Sequence, residues 1–340
     1  MVTRKKELDM ARGIGMFLVV FAHIYSKQNS LINTFIGTFD MPLFFFLSGL
    51  LFKPYASLAE GFRKKVLQLV VPYFIWGGIS FLYWWLIERS LRADTIELSL
   101  YDGIKGVFVA SYPLIIYNAV LWFLPVLFII EVLFLVTYRS SNNSKVHNYI
   151  TLTVVLICAI TSCLFSLPEL PWGINRVLKF IIFYYAGFIL RNWDYHKYKF
   201  KILTVVAGLG INCLFIYFGL QKNFYDYVLG IVGSVAILLL CDCLINFVKC
   251  KVGFSIMHSI IYLGSNTMIV YILHGPLYRI VIGILMRVFT INSNYLRESI
   301  IFTVLIALFV IAILLLASSL ISRVAPVMIG KKGSRLRNIE

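Results

Sequence analysis

Long apolar runs alternate with short polar connections along the whole chain. AVLWFLPVLFIIEVLFLVTY, from Ala119, and SIIFTVLIALFVIAILLLASSLI, from Ser299, each reach the ~20 residues a helix needs to cross a bilayer. Taken together the runs predict ten spans, at 8–26, 35–53, 68–87, 118–138, 149–167, 177–190, 201–219, 227–247, 264–288 and 299–322. The sixth is the shortest. Trp and Tyr gather at several span ends, as an interfacial belt requires. The pattern therefore predicts an all-α, polytopic membrane helix bundle. One transmembrane domain over 1–325 is expected, followed by a basic cytoplasmic tail over 326–340.

Composition sharpens this. Sixty per cent of the 340 residues are hydrophobic and 14% are charged, against about one quarter charged in an ordinary soluble domain. The first run lacks a signal-peptidase site and reads as retained. The net charge of +16 has its source in the connections and not in a nucleic-acid surface. With the N-terminus inside, basic residues divide as 20 on the inner side and 9 on the outer, Arg12 and Arg279 lying within spans. That asymmetry predicts cytoplasmic placement of both termini. The six cysteines, Cys158, Cys163, Cys213, Cys241, Cys243 and Cys250, form no CxxC pair. They read as helix-packing residues, and no metal is expected.

Ionisable groups inside spans are costly and point to function. The first span, LDMARGIGMFLVVFAHIYS, holds Asp9, Arg12 and His23. Arg12 and His23 are eleven positions apart, three turns plus roughly 20°, so both share a face about 16 Å apart along the axis. Asp9 and Arg12, at i and i+3, can pair. Gly13 and Gly15 allow a second helix close approach. Arg12 can equally snorkel to the interface and His23 make an interhelical hydrogen bond. Asp40 opens the second span at the depth of His23, where it either fixes the imidazole's tautomer or caps its own helix. Arg63, Lys64 and Lys65 form a cytoplasmic cluster suited to a phosphorylated ligand or to anionic lipid. Glu131 and Asp242 either face a cavity or sit at the interface. His274 falls near the midplane of span nine, before Gly275 and a kinking Pro276. The soluble-enzyme signatures GxxxxGK[ST], HExxH and GxSxG are absent.

Five stretches, in order, resemble motifs of the acyltransferase 3 family of integral membrane acyltransferases. DMARGIGMFLVVFAH is similar to its first-span signature of an Arg, ten residues and a His. FDMPLFFFLSGLLF, GFRKKVLQLVVPYFIW, LWFLPVLFIIEVLF and TMIVYILHGPLY resemble its FxxPLFFFLSG, basic-loop, WFL and His-x-Pro stretches. The resemblance covers essentially the whole chain. It implies transfer of an acyl group, most often acetyl, from cytoplasmic acetyl-CoA to a hydroxyl of an extracytoplasmic or lipid-linked sugar. Without a fused hydrolase-like domain, the chain resembles the stand-alone class acting on O-antigen, capsule or exopolysaccharide, in a bacterial inner membrane. On this reading Arg12 orients the donor, with Arg63, Lys64 and Lys65 on its phosphates. His23 is the general base, and Trp122 and His274 meet the acceptor. Asp40, to which the resemblance assigns nothing, joins the expected catalytic residues for its depth near His23 alone. Direct transfer and an acyl-histidine intermediate both stand. The partners expected are acetyl-CoA, the glycan and membrane lipids, with no nucleic acid and an open oligomeric state. Two other functions fit the composition: a flippase of a polyisoprenoid-linked sugar, or transfer of another acyl group such as succinyl.

Overall fold

The computed structural model describes residues 5–28, 30–90, 97–139, 144–220, 224–248 and 250–331, with side chains up to Tyr138 and again from Tyr149. Of the basic residues counted above to orient the chain, Arg4, Arg92, Lys222, Lys249, Lys332, Arg335 and Arg337 lie outside these residues, as do the side chains of Arg139 and Lys145. The described residues are helical and contain no strand. They divide into two compact units, residues 1–52 with 182–315, and residues 53–181 with 316–340.

The first unit is built around α1 (Lys6–Ile24). Against it lie α2 (Leu31–Gly37), α3 (Asp40–Leu50), α11 (Phe224–Phe247), α12 (Lys251–Ser265) and α13 (Thr267–Phe289). Its core joins Leu8, Ala11, Leu43, Leu47, Leu238 and Met257. Glycines set the spacing. A Cβ on Gly13 would overlap the Ile260 carbonyl, and one on Gly264 would overlap the Asp9 carbonyl, so α1 and α12 touch backbone to backbone. α3 meets α9 (Ile174–Leu190) in the same way, Gly49 against the Tyr184 carbonyl and Gly187 against that of Phe46. α10 (Lys201–Tyr217) packs on α11 and anchors the α2–α3 turn through Asn212, which accepts from Thr38 Oγ1 at 2.8 Å and donates to the Gly208 carbonyl.

The second unit begins with one continuous helix, α4 (Leu58–Lys65) and α5 (Val71–Tyr83) joined through a π turn at Val66–Val70. It packs on α7 (Phe123–Arg139), and α8 (Ser144–Leu164) follows. The connection between α5 and α7 folds into α6 (Leu100–Val109) and a 3-10 turn, Ile116–Trp122. Buried hydroxyls pin this connection down: Tyr73 donates to the Val107 carbonyl at 2.8 Å and Tyr117 to that of Gly103 at 3.0 Å.

Seven of the described helices are long and apolar enough to cross a membrane. α1 falls outside that set because Lys6, Glu7, Asp9 and Arg12 crowd its first turns, and the apolar parts of α8 and α10 are shorter. Two expectations change. The connection before span nine is itself a helix, α12, which Asn266 separates from α13. The expected tail also begins in packed structure. After the short α14 (Ser293–Glu298), α15 (Ile300–Val324) runs into a 3-10 turn at Pro326–Ile329, whose Met328 carbonyl accepts from Trp76 Nε1 at 2.7 Å and whose Ile329 is buried.

A leucine at Gly264 has no space between the two backbones. Gly264→Leu is expected to lower the melting midpoint of the detergent-purified protein, by an overpacking cost of roughly 1–3 kcal/mol or more. Gly210→Leu, at a helix position with nothing within 4 Å, should leave it unchanged. Equal midpoints for both would refute the close approach.

Candidate active site

Two imidazoles meet in the first unit. His23, in the last turn of α1, lies edge-on to His274 of α13, with ring centroids 4.8 Å apart. Helix geometry sets both tautomers. His23 Nδ1 lies 2.8 Å from the Val19 carbonyl. His274 Nδ1 lies 3.1 Å from the Val270 carbonyl and 2.8 Å from that of Tyr271. A carbonyl only accepts, so Nδ1 carries the proton in each ring and Nε2 of the neutral ring keeps a lone pair. His274 is fully buried and its Nε2 has no hydrogen-bond partner. His23, by contrast, is exposed. Just beyond it, Arg297 Nε donates to the Ile24 carbonyl at 3.0 Å and holds the end of α1. The arrangement offers a proton acceptor of fixed tautomer, backed by a buried one.

Arg12 is part-buried, 3.6 Å from the carboxylate of Asp9, the i, i+3 pairing its spacing predicts. Asp40 departs from expectation. Its Oδ1 accepts the Met41 backbone N–H at 2.6 Å, and it makes no hydrogen bond to His23. The carboxylate serves the start of α3, where four N–H groups need acceptors, and the capping alternative describes it.

The basic cluster also divides. Lys65 forms an ion pair with Glu131 at 2.6 Å, both largely buried, so its charge is neutralised inside the second unit. The pair accounts for Glu131 and engages Lys65, one of the three cations expected at the donor. Lys64 lies over the Tyr55 ring at 4.9 Å, and Arg63 is exposed. Trp122 lies between two side chains of α9, with the Arg176 guanidinium 4.7 Å from its ring and the Phe180 ring at 5.4 Å.

A second polar cluster escaped sequence reasoning. At the start of α1, Glu7 accepts from the Tyr195 hydroxyl at 2.8 Å. Asp242, at the end of α11, is buried and takes both Lys201 Nζ, at 2.5 Å, and His196 Nδ1, at 2.7 Å. Burial first, and then the neighbouring Glu7 carboxylate, push the Tyr195 hydroxyl well above its usual range, so it stays a donor. The cluster ties α1, α10, α11 and the Tyr195–Lys197 turn together. The one sequence signal for it is the presence of Glu7 and Asp242 at apolar-helix ends.

All-helical architecture and membrane-length apolar helices define a multi-pass membrane protein, and the facing histidines give it the makings of a proton-transfer site. A family model described as an acyltransferase domain matches residues 5–323. The chain belongs to the acyltransferase 3 family, and it is a membrane acyltransferase. Searches of curated proteins and of solved structures found no match.

Removing one member of a buried ion pair strands the other. Lys65→Met is expected to destabilise the protein by about 3–5 kcal/mol, and Lys65→Met with Glu131→Leu to recover most of that loss. Thermal unfolding of the purified variants checks this. A single variant as stable as the parent would remove Lys65 from a structural role.

Proposed function

We propose that this protein is an O-acetyltransferase that moves acetyl from cytoplasmic acetyl-CoA to a hydroxyl of a cell-surface or lipid-linked sugar, of the O-antigen, capsule or exopolysaccharide kind. The observation that carries the reading is the histidine pair: an accessible imidazole whose Nε2 is held as an acceptor, beside a buried one. His23 Nε2 takes the proton of the acceptor hydroxyl as its oxygen attacks the thioester carbonyl carbon. An O–C bond forms and the C–S bond breaks. The departing thiolate then receives the proton from the imidazolium, leaving His23 neutral. His274, whose orphaned Nε2 needs a donor, orients the acceptor through a second hydroxyl. Arg12 orients the donor, and Arg63, which is exposed, and Lys64 bind its phosphates.

Direct transfer needs no acyl-enzyme and is the simpler course here. Adding α1, α8 and α10 to the seven membrane-length helices gives ten crossings. The excess of basic residues on one set of connections supports cytoplasmic termini. A bacterial inner membrane then supplies acetyl-CoA on one side and the glycan on the other.

Surface polysaccharide from cells carrying the intact gene, a deletion or His23→Ala is compared by proton NMR before and after mild base. The intact gene should yield a base-labile acetyl signal, and His23→Ala should reduce transfer by about 10²–10⁴-fold. In purified protein, Arg12→Ala should raise the KM for acetyl-CoA more than it lowers kcat. Acetylation unchanged in all three strains, with altered polymer amounts in the deletion, would instead indicate sugar-lipid transport.

A further inference from the structure

The last turn of α1, which carries His23, is capped from outside the helix. The final carbonyls of a helix find no donor within it. In α1 the Phe21 carbonyl still takes the Tyr25 N–H, at 2.8 Å, and that bond closes the helix. Two later carbonyls are met by side chains from distant segments. Arg297 of α14 donates through Nε to the Ile24 carbonyl at 3.0 Å. Asn33 of α2 donates through Nδ2 to the Tyr25 carbonyl at 2.7 Å. Arg297 also accepts: its own carbonyl takes the Ser26 N–H at 2.9 Å. One residue thus binds the chain on either side of Tyr25.

Both donors stand on fixed ground. Leu296, next to Arg297, is buried, and Asn292 Oδ1 starts α14 by accepting the Asn294 N–H at 2.8 Å. Ser30 Oγ starts α2 by accepting the Asn33 N–H at 3.2 Å. The Arg297 guanidinium also brings a positive charge to the negative end of the α1 dipole.

The cap bears on chemistry because of where the ring bond of His23 lies. Its Nδ1 is held by the Val19 carbonyl, which in a helical ladder also serves the backbone N–H of residue 23. Both bonds last only while the final turn stays wound. Helix ends fray, and an unwound turn frees the imidazole from the geometry that leaves Nε2 as the proton acceptor and faces the ring to His274. The glycine contact of α1 with α12 does not prevent this. It lies at Asp9 and Gly13, ten or more residues before His23 and about 15 Å or more away along the axis.

We propose that Arg297 is a positioning residue for His23, with Asn33 in support. By satisfying the carbonyls that follow the histidine, the two side chains keep the last turn of α1 wound and the imidazole in one tautomer. The assignment rests on the reading of His23 as the general base, but its first test needs no turnover, so the two can fail separately.

The full-length protein, labelled with ring-15N histidine, is purified in detergent and examined by NMR at mildly alkaline pH, where an ordinary imidazole is neutral. The His23 signals are identified by their loss in His23→Gln. The parent should show a protonated Nδ1 and an unprotonated Nε2. Arg297→Gln and Asn33→Ala should each move His23 toward a mixture of tautomers, with the signals of His258 on α12 unmoved. Should Arg297→Gln disturb His258 as well, the fold has been lost and Asn33→Ala decides. In acyl transfer, Arg297→Gln should lower kcat by about tenfold or more with the KM for acetyl-CoA unchanged, since a misplacement of about 1 Å can cost 10²-fold. Arg297→Lys, which keeps a donor for the Ile24 carbonyl, should restore most of that rate. His23 signals unchanged in both variants would overturn the proposal, as would a parental kcat in Arg297→Gln. A parent without acetyl transfer would overturn the reading of the reaction and leave the ring spectra to uphold or overturn the cap.

Discussion

The contact of α1 with α12 sets the terms for the first unit. In a bilayer there is no hydrophobic force between apolar helices, so association relies on close van der Waals approach, which small residues permit. Gly13 and Gly264 bring the two backbones together, and the consequence reaches beyond the contact. Gly264 ends α12 beside Asp9. Asn266 breaks the helix, and α13 carries the chain from the level of Asp9 to that of His23. The meeting of His23 with His274 is therefore a downstream result of two missing side chains. A sidechain-sized gap between α1 and α12 would shift the start of α13 with it.

The chemistry of the histidine pair follows from its being helical. A histidine whose Nδ1 turns back to the carbonyl of the preceding turn needs no carboxylate to fix its tautomer. That explains how the site can dispense with Asp40, whose carboxylate is spent on its own helix. In the cluster at the start of α1, Glu7 with Tyr195, and Asp242 with Lys201 and His196, stand toward helix ends and bind segments to one another. Charge holds the ends together, while neutral imidazoles stand between them.

The helices were legible because hydrophobic runs of bilayer length need no partner to be recognised. α12 was not, because Lys251, His258 and its serines dilute a short segment with little burial. Arg12 and His23 could be placed on one face from spacing alone, since both belong to one helix. The pairing of His23 with His274, and of Lys65 with Glu131, joins residues from different helices, and no periodicity connects those. Trp122 shows the same limit. Its motif marks it as important, but only the packing of α9 reveals that its ring is flanked by Arg176 and Phe180.

The Lys65–Glu131 pair also bears on how the chain reaches the membrane. A nascent polypeptide presents its spans in order, and the helix over 58–88 emerges before the one over 116–138. An unpaired charge within an inserting helix opposes partition into lipid, by about 2.5–3.5 kcal/mol for lysine at the helix centre and by less toward an end such as the one that holds Lys65, and the Glu131 carboxylate carries a penalty of the same kind. Held together, the two charges become a dipole that lipid tolerates far better. The hairpin, and not either helix alone, is thus the natural quantum of membrane integration for this part of the chain, and biosynthesis has reason to retain the first helix at the translocon until the second arrives.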